Sequence, residues 1–128
     1  LTYLLDTHAL VWAFEGGQAL GSKSRKALQE AGAADLAISD LTLLELALLI
    51  ERGKIVCRVG VADCLSEAER QCCVLPVTSR IAAMAAGLDL VQGDPFDRVI
   101  VATAKEHDLT LITKDRRIVA SKIAPTLW

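Results

Sequence analysis

Four acidic residues sit where their own surroundings offer a charge little. Asp6 follows the apolar run LTYLL, Glu45 interrupts LTLLELALLI, Asp97 lies in GDPFDR, and Asp115 follows LTLIT in LITKDRR. In a helix the residues three and four away from Glu45 are Leu41, Thr42, Leu48 and Leu49, so an ionised carboxylate there would lose water and gain nothing locally. Burying a lone carboxylate costs roughly several kcal/mol unless it protonates, pairs or binds a metal. If the four acids converge, the repulsion is severe: two unit charges 4 Å apart repel by about 4 kcal/mol at an effective dielectric near 20. Protons or a divalent cation must then neutralise the group. Oxygen ligands without histidine or thiolate favour Mg²⁺ or Mn²⁺ over zinc. Such a centre suits phosphodiester hydrolysis, because it lowers the pKa of water and screens charge on phosphoryl oxygens.

Each acid also has an ordinary reading. Asp6 and Asp94 could cap the helices that follow them, Glu45 could pair with Arg52, and Asp115 could be a turn residue. The joint pattern outweighs its members, since four independent ordinary explanations would have to coincide with one convergent geometry.

The elements that would position these residues alternate along the chain. TYLL (2–5) reads as a buried strand and THALVWAF (7–14) as a helix that Thr7 caps. SRKALQEA (24–31) is an amphipathic helix, LAIS (36–39) a second strand, and Asp40 caps the helix carrying Glu45, which stops near Arg52-Gly53. A helix over 59–70 precedes a third strand, CVLPV (73–77), and Thr78 or Ser79 starts RIAAMAAGL. In QGDPFDRVIVATAKEHD (92–108) Asp94 caps a helix with Pro95 at its first position. LTLIT (109–113) is a strand, KDRRIVAS a turn and short helix, and TLW a last strand.

Strands that are apolar throughout and alternate with helices form a parallel sheet covered on both faces. The expectation is one α/β domain over residues 1–128, with no repeat or linker. Ligands of open parallel sheets bind beyond the carboxyl ends of the strands. Asp6 lies at the end of the first strand, Asp115 two residues beyond LTLIT, and Glu45 and Asp97 in flanking helices, so all four can reach that edge.

Composition narrows the classes. A chain of 128 residues, 52% hydrophobic, buries a core and is not disordered. No uncharged apolar run reaches the roughly 18 residues of a membrane span. The N-terminal LTYLLDTHALVW carries Asp6 and no basic region, a poor secretory signal, so a cytoplasmic location is expected. A net charge of −2 argues against nucleic-acid binding by bulk electrostatics alone, although Lys23, Arg25 and Lys26, then Arg52, Lys54 and Arg58, then Lys114, Arg116 and Arg117 form local basic groups. Cys57, Cys64, Cys72 and Cys73 contain no CxxC pair and read as reduced thiols acting as small hydrophobes. Aromatic residues are only 4%, so no base-stacking platform is evident, and His8 and His107 read as structural or exposed.

LLDTHALVWAF, SDLTLLELALLIERGKI, GDPFDRVIVATAKEHDLTLITKD and the terminal TLW together resemble PIN-domain ribonucleases, most of all the VapC-type toxins of toxin–antitoxin pairs. The resemblance runs through essentially the whole chain, in order and with usual spacing. It implies a PIN-like three-layer α/β fold, a central mostly parallel sheet with helices on both faces, and a Mg²⁺- or Mn²⁺-dependent endoribonuclease that hydrolyses RNA through metal-activated water. The family's catalytic and metal-binding acids fall on Asp6, Glu45, Asp97 and Asp115, with Asp6 and Asp97 as principal ligands. Thr7 and Thr113 match positions that, in similar proteins, hold the acids or metal-bound water by hydrogen bonds, and Asp94 borders the site. The resemblance further implies a homodimer and a VapB-type antitoxin partner. Arg98 and Lys114, adjacent to Asp97 and Asp115, are candidates for RNA-backbone contact, beside the plainer reading of solvated charges.

Rival folds fit less well. A receiver domain needs paired acids after its first strand and an aspartate after the third, but Thr7 and His8 follow Asp6, and CVLPV ends without an acid. A haloacid-dehalogenase-like phosphatase needs DxD, and position 8 is histidine. The alternative that survives is a PIN-fold nucleic-acid-binding or regulatory module with little or no turnover.

Overall fold

The computed structural model describes residues 1–90 and 94–128. Five short strands, β1 (Tyr3–Leu5), β2 (Leu36–Ser39), β3 (Cys73–Leu75), β4 (Thr110–Ile112) and β5 (Thr126–Leu127), form one sheet in the order β3-β2-β1-β4-β5, with every pairing parallel. Among the described residues seven α-helices accompany it: α1 (Thr7–Phe14), α2 (Ser22–Glu30), α3 (Asp40–Glu51), α4 (Val61–Gln71), α5 (Ser79–Gly87), α6 (Pro95–Glu106) and α7 (Arg116–Ser121).

Successive strand residues point to opposite faces, and both faces are buried, which is why the strands are apolar without alternation. Leu4, Ala37 and Leu111 pack with Ile100, Val101 and Ala104 of α6 and Ile118 of α7. Leu5, Ile38 and Ile112 pack on the other face with Ala9 and Leu10 of α1, Leu46 of α3 and Ala68 of α4. The chain moves outward from β1 to β3 through helices on this second face. It then crosses back to β4 and β5 through helices on the first face, as right-handed crossovers require. The reversal of strand order places a crevice between the carboxyl ends of β1 and β4.

Several boundaries differ from the sequence reading. The cap of α1 is Asp6, not Thr7, because Asp6 has extended backbone and its side chain accepts the N–H of Ala9. Likewise Ser39 caps α3, and Asp40 is its first helical residue, with Oδ2 accepting the N–H of Val77 at 3.2 Å. Helix α2 starts two residues earlier than expected, after Gly21. Helix α4 starts later, since Gly60 at φ +92° holds a backbone conformation that a helix cannot include. Strand β3 stops before Pro76, which has no N–H to donate. Asp94 and Pro95 begin α6 as expected, while Gln92 and Gly93, the start of that expected segment, lie outside the described residues.

The cysteines divide. Cys72 is buried and behaves as the small hydrophobe expected. Cys57 and Cys64 instead form a disulfide, contrary to the expectation of reduced thiols, because the turn before α4 brings their Cα atoms to 6.7 Å. No helix of the described residues is long and apolar enough to cross a membrane.

Candidate active site

Strand β1 delivers Asp6 to the crevice. Its N–H donates to the Ile112 carbonyl at 3.2 Å, continuing the β1–β4 pairing, and its Oδ1 accepts the Ala9 N–H at 2.8 Å. Thr113, fully buried at the end of β4, hydrogen-bonds the Asp6 carboxylate through its side chain. The same hydroxyl oxygen accepts the Asp115 N–H at 3.1 Å, so one threonine ties two acids from different strands. Asp115 then caps α7, accepting the N–H groups of Arg117 at 2.9 Å and Ile118 at 3.1 Å.

Glu45 enters from α3. The buried Thr7 hydroxyl donates to its Oε1, which supplies the partner its own helix lacks. Among the described residues no ion pair joins it to Arg52. Asp97 arrives on the first turn of α6, where Asp94 accepts its N–H at 2.9 Å. All four acids line one open cleft of about 630 Å³, together with Asp94, Thr7, His8, Trp12, Lys114, Arg116 and Arg117.

The electrostatics carry the cost of this convergence. Burial pushes the Asp6 carboxyl up, partly offset by its bonds to Thr113 and Ala9. Burial also raises Glu45, and the Thr7 bond opposes it while Asp94 and Asp6 add to the rise. Asp97 is pushed up to about 7, first by burial and then by Asp94, Asp115 and Glu45. Asp115 goes the other way: burial raises it, but the N–H groups of Ile118 and Arg117 and the Arg117 guanidinium outweigh that and hold it below the usual range. Three acids thus resist ionising in the site that gathers them.

The arrangement gives other expected residues distinct positions. Lys114 is on the cleft, its Nζ 4.5 Å over the centre of the Trp12 ring. Arg98, a candidate for RNA-backbone contact, donates its guanidinium to the carbonyls of Leu88 at 2.6 Å and Leu90 at 2.9 Å, clasping the end of α5 and the chain beyond it. Backbone carbonyls left without partners at a helix end draw in a cation. Sequence reasoning missed Arg117, whose Nη2 stands 3.4 Å from both Asp97 Oδ2 and Asp115 Oδ2. Its position two residues after a capping aspartate was the available signal. It also missed Trp12, which lies four residues from His8 and so shares its helix face.

The donor set suits a hard divalent cation, being wholly carboxylate oxygen, with proton affinity raised at Asp6, Glu45 and Asp97. Among the described residues no trio of histidine, cysteine, aspartate or glutamate side chains is drawn together as a formed ligand set. The carboxylates stand along the walls, as like charges favour, and Arg117 bridges two of them.

Comparisons with known proteins bear on the family and the fold. A family described as PIN domain matches residues 3–123. The chain is 36% identical over 118 residues to Ribonuclease VapC22 of Mycobacterium tuberculosis, covering 91% of this chain and 89% of that protein. Its fold is similar to that of a DNA-bound VapBC from Salmonella typhimurium, with a TM-score of 0.76 and 18% identity over 99% of this chain and 97% of that one. A toxin–antitoxin complex from Klebsiella pneumoniae is similar at a TM-score of 0.69 and 23% identity, with 99% and 97% coverage.

Proposed function

The chain belongs to the PIN domain family, and from that premise we propose that it is a divalent-metal-dependent endoribonuclease, the toxin of a VapBC-type pair. The observation that carries this reading is the meeting of Asp6, Glu45, Asp97 and Asp115, from four separate segments, in one cleft at the crevice between β1 and β4. The 36% identical relative is a VapC ribonuclease, which supports RNA as the substrate. The neighbours solved as toxin–antitoxin complexes support a VapB-type antitoxin as partner. A homodimer and a cytoplasmic setting complete the reading.

Asp6 and Asp97 would be the principal ligands of Mg²⁺ or Mn²⁺, with Glu45 and Asp115 completing the set. When bound, the cation makes water acidic enough to attack phosphorus and screens the phosphoryl charge. The protein's own groups do the positioning. Thr113 fixes Asp6 relative to Asp115, and Thr7 orients Glu45 through the buried hydroxyl bond. Asp94 sets the first turn of α6 so that Asp97 faces the cleft. Lys114, which lines the cleft, would meet a substrate phosphate.

The test is cleavage of a defined RNA panel by protein freed of any partner, with Mg²⁺, with Mn²⁺ and with chelator, alongside Asp6→Asn. Hydrolysis requires the cation and is lost in the variant. Cleavage that persists with chelator and in Asp6→Asn overturns the reading.

A further inference from the structure

Beside the carboxylates the cleft has an aromatic edge that the proposed hydrolysis does not use. His8 and Trp12 both line it, one helical turn apart on α1, with ring centres 5.6 Å apart and planes tilted by 48°. Trp12 is braced from behind by Trp128, whose ring meets it nearly edge-on at 5.6 Å and 67°. Trp128 is itself seated on bare backbone: a Cβ at Gly21 would stand 2.5 Å from its Cδ1. The indole plane of Trp12 is therefore held from two sides before any ligand arrives, and order established in advance is not paid for on binding.

We propose that Trp12, with His8 beside it, is a stacking subsite for an unpaired nucleobase of RNA next to the scissile phosphate. This rests on the ribonuclease reading and extends it to the form of the substrate. A cleft walled by carboxylates repels a polyanion, so affinity must come from neutral faces and from the basic rim. Trp12 supplies the neutral face, while Lys114 and Arg116 line the same cleft and supply positive charge for phosphates. The Lys114 ammonium over the Trp12 ring marks that face as one that attracts a cation or a π-system. A stacked base takes the place of the ammonium there, which frees Lys114 to follow the backbone. Bases in a duplex already have both faces covered, so the subsite selects single-stranded or looped RNA.

The chain has two tryptophans, so each can be observed alone. Trp128→Phe leaves Trp12 as reporter, and Trp12→Phe leaves Trp128. With Ca²⁺ present, titration with a single-stranded RNA 12-mer of mixed sequence quenches Trp12 strongly and Trp128 little. Trp12→Leu weakens single-strand binding by about ten-fold. Trp12→Phe retains most of the affinity, and binding of the same 12-mer annealed to its complement changes little in either variant. Thermal melting of each variant confirms that it is folded. Unquenched Trp12 emission in a chain that binds the RNA overturns the subsite, as does Trp12→Leu matching wild-type affinity. Wild-type protein that neither binds nor cuts any RNA overturns the ribonuclease reading as well, so the two failures are distinguishable.

Discussion

Helix α1 is a wall between two depressions of different character. Its Thr7, His8 and Trp12 face the carboxylate cleft, whereas its Leu10, Ala13 and Phe14 face a groove of about 460 Å³ that Leu5, Leu28, Leu36 and Val59 also line. The groove is lined almost wholly by apolar side chains, and Leu5 and Leu10 are core residues. The cleft gathers helix caps: Asp6, Asp94 and Asp115 line it, and each caps a helix. Helix starts offer N–H groups that hold a carboxylate in place without neutralising it. One side of α1 therefore adds stability through burial, and the other gathers charges that oppose folding. Activity and stability should separate cleanly between the two.

The largest separation is expected at Asp6. Asp6→Asn lowers RNA cleavage by at least about 100-fold, since it removes a principal ligand, while the metal-free protein melts no lower than wild type. A variant that melts far lower would show that Asp6 matters chiefly as a helix cap. On the groove side the pattern reverses. Leu10→Ala costs about 2–5 kcal/mol in denaturant unfolding, because Leu10 is 1% exposed, yet leaves the cleavage rate per folded molecule close to wild type. Equal loss of both properties would erase the distinction drawn here.

Arg98 sharpens the comparison from a third position. Arg98→Ala removes charged hydrogen bonds to Leu88 and Leu90 and costs about 1–3 kcal/mol of stability. The salt dependence of RNA binding stays unchanged, and a shallower salt slope would return Arg98 to the nucleic-acid surface.

The smallest effect is the pH dependence of the metal-free cleft. Asp97 keeps its proton to about 7 in the folded chain, against a reference value of 3.8. Between those values the folded state binds more protons than the unfolded state, so the Asp97 contribution to stability falls as pH rises across that window. In chelator, Asp97→Asn flattens the decline and raises the melting temperature near neutral pH by a few degrees, about 3–6 °C. A melting temperature that falls with pH by as much in the variant as in wild type would contradict this.

Local signals carried the sequence reading far. The apolar strand runs, Pro95 after Asp94, and Gly53 at φ +70° after the Arg52 cap are each decided by neighbours within a few residues. Even where the cap was misassigned, as between Thr7 and Asp6, the error was one residue, because either side chain can bond an N–H two or three positions ahead. The acids were legible for a related reason: a carboxylate in an apolar segment is conspicuous wherever the segment goes.

Composition and local pattern by themselves determined an α/β chain with four acids in unlikely company, and spacing placed two of them at strand ends. Only the tertiary structure decided which side chains became partners. It sent Arg98 to backbone carbonyls and Arg117 to the acids, closed Cys57 onto Cys64, and set the two tryptophans from opposite ends of the chain against each other beside the cleft. The reason is physical. Helices and caps are selected by contacts a few residues long, whereas these pairings depend on the β3-β2-β1-β4-β5 order and the faces each crossover covers, which no short stretch encodes.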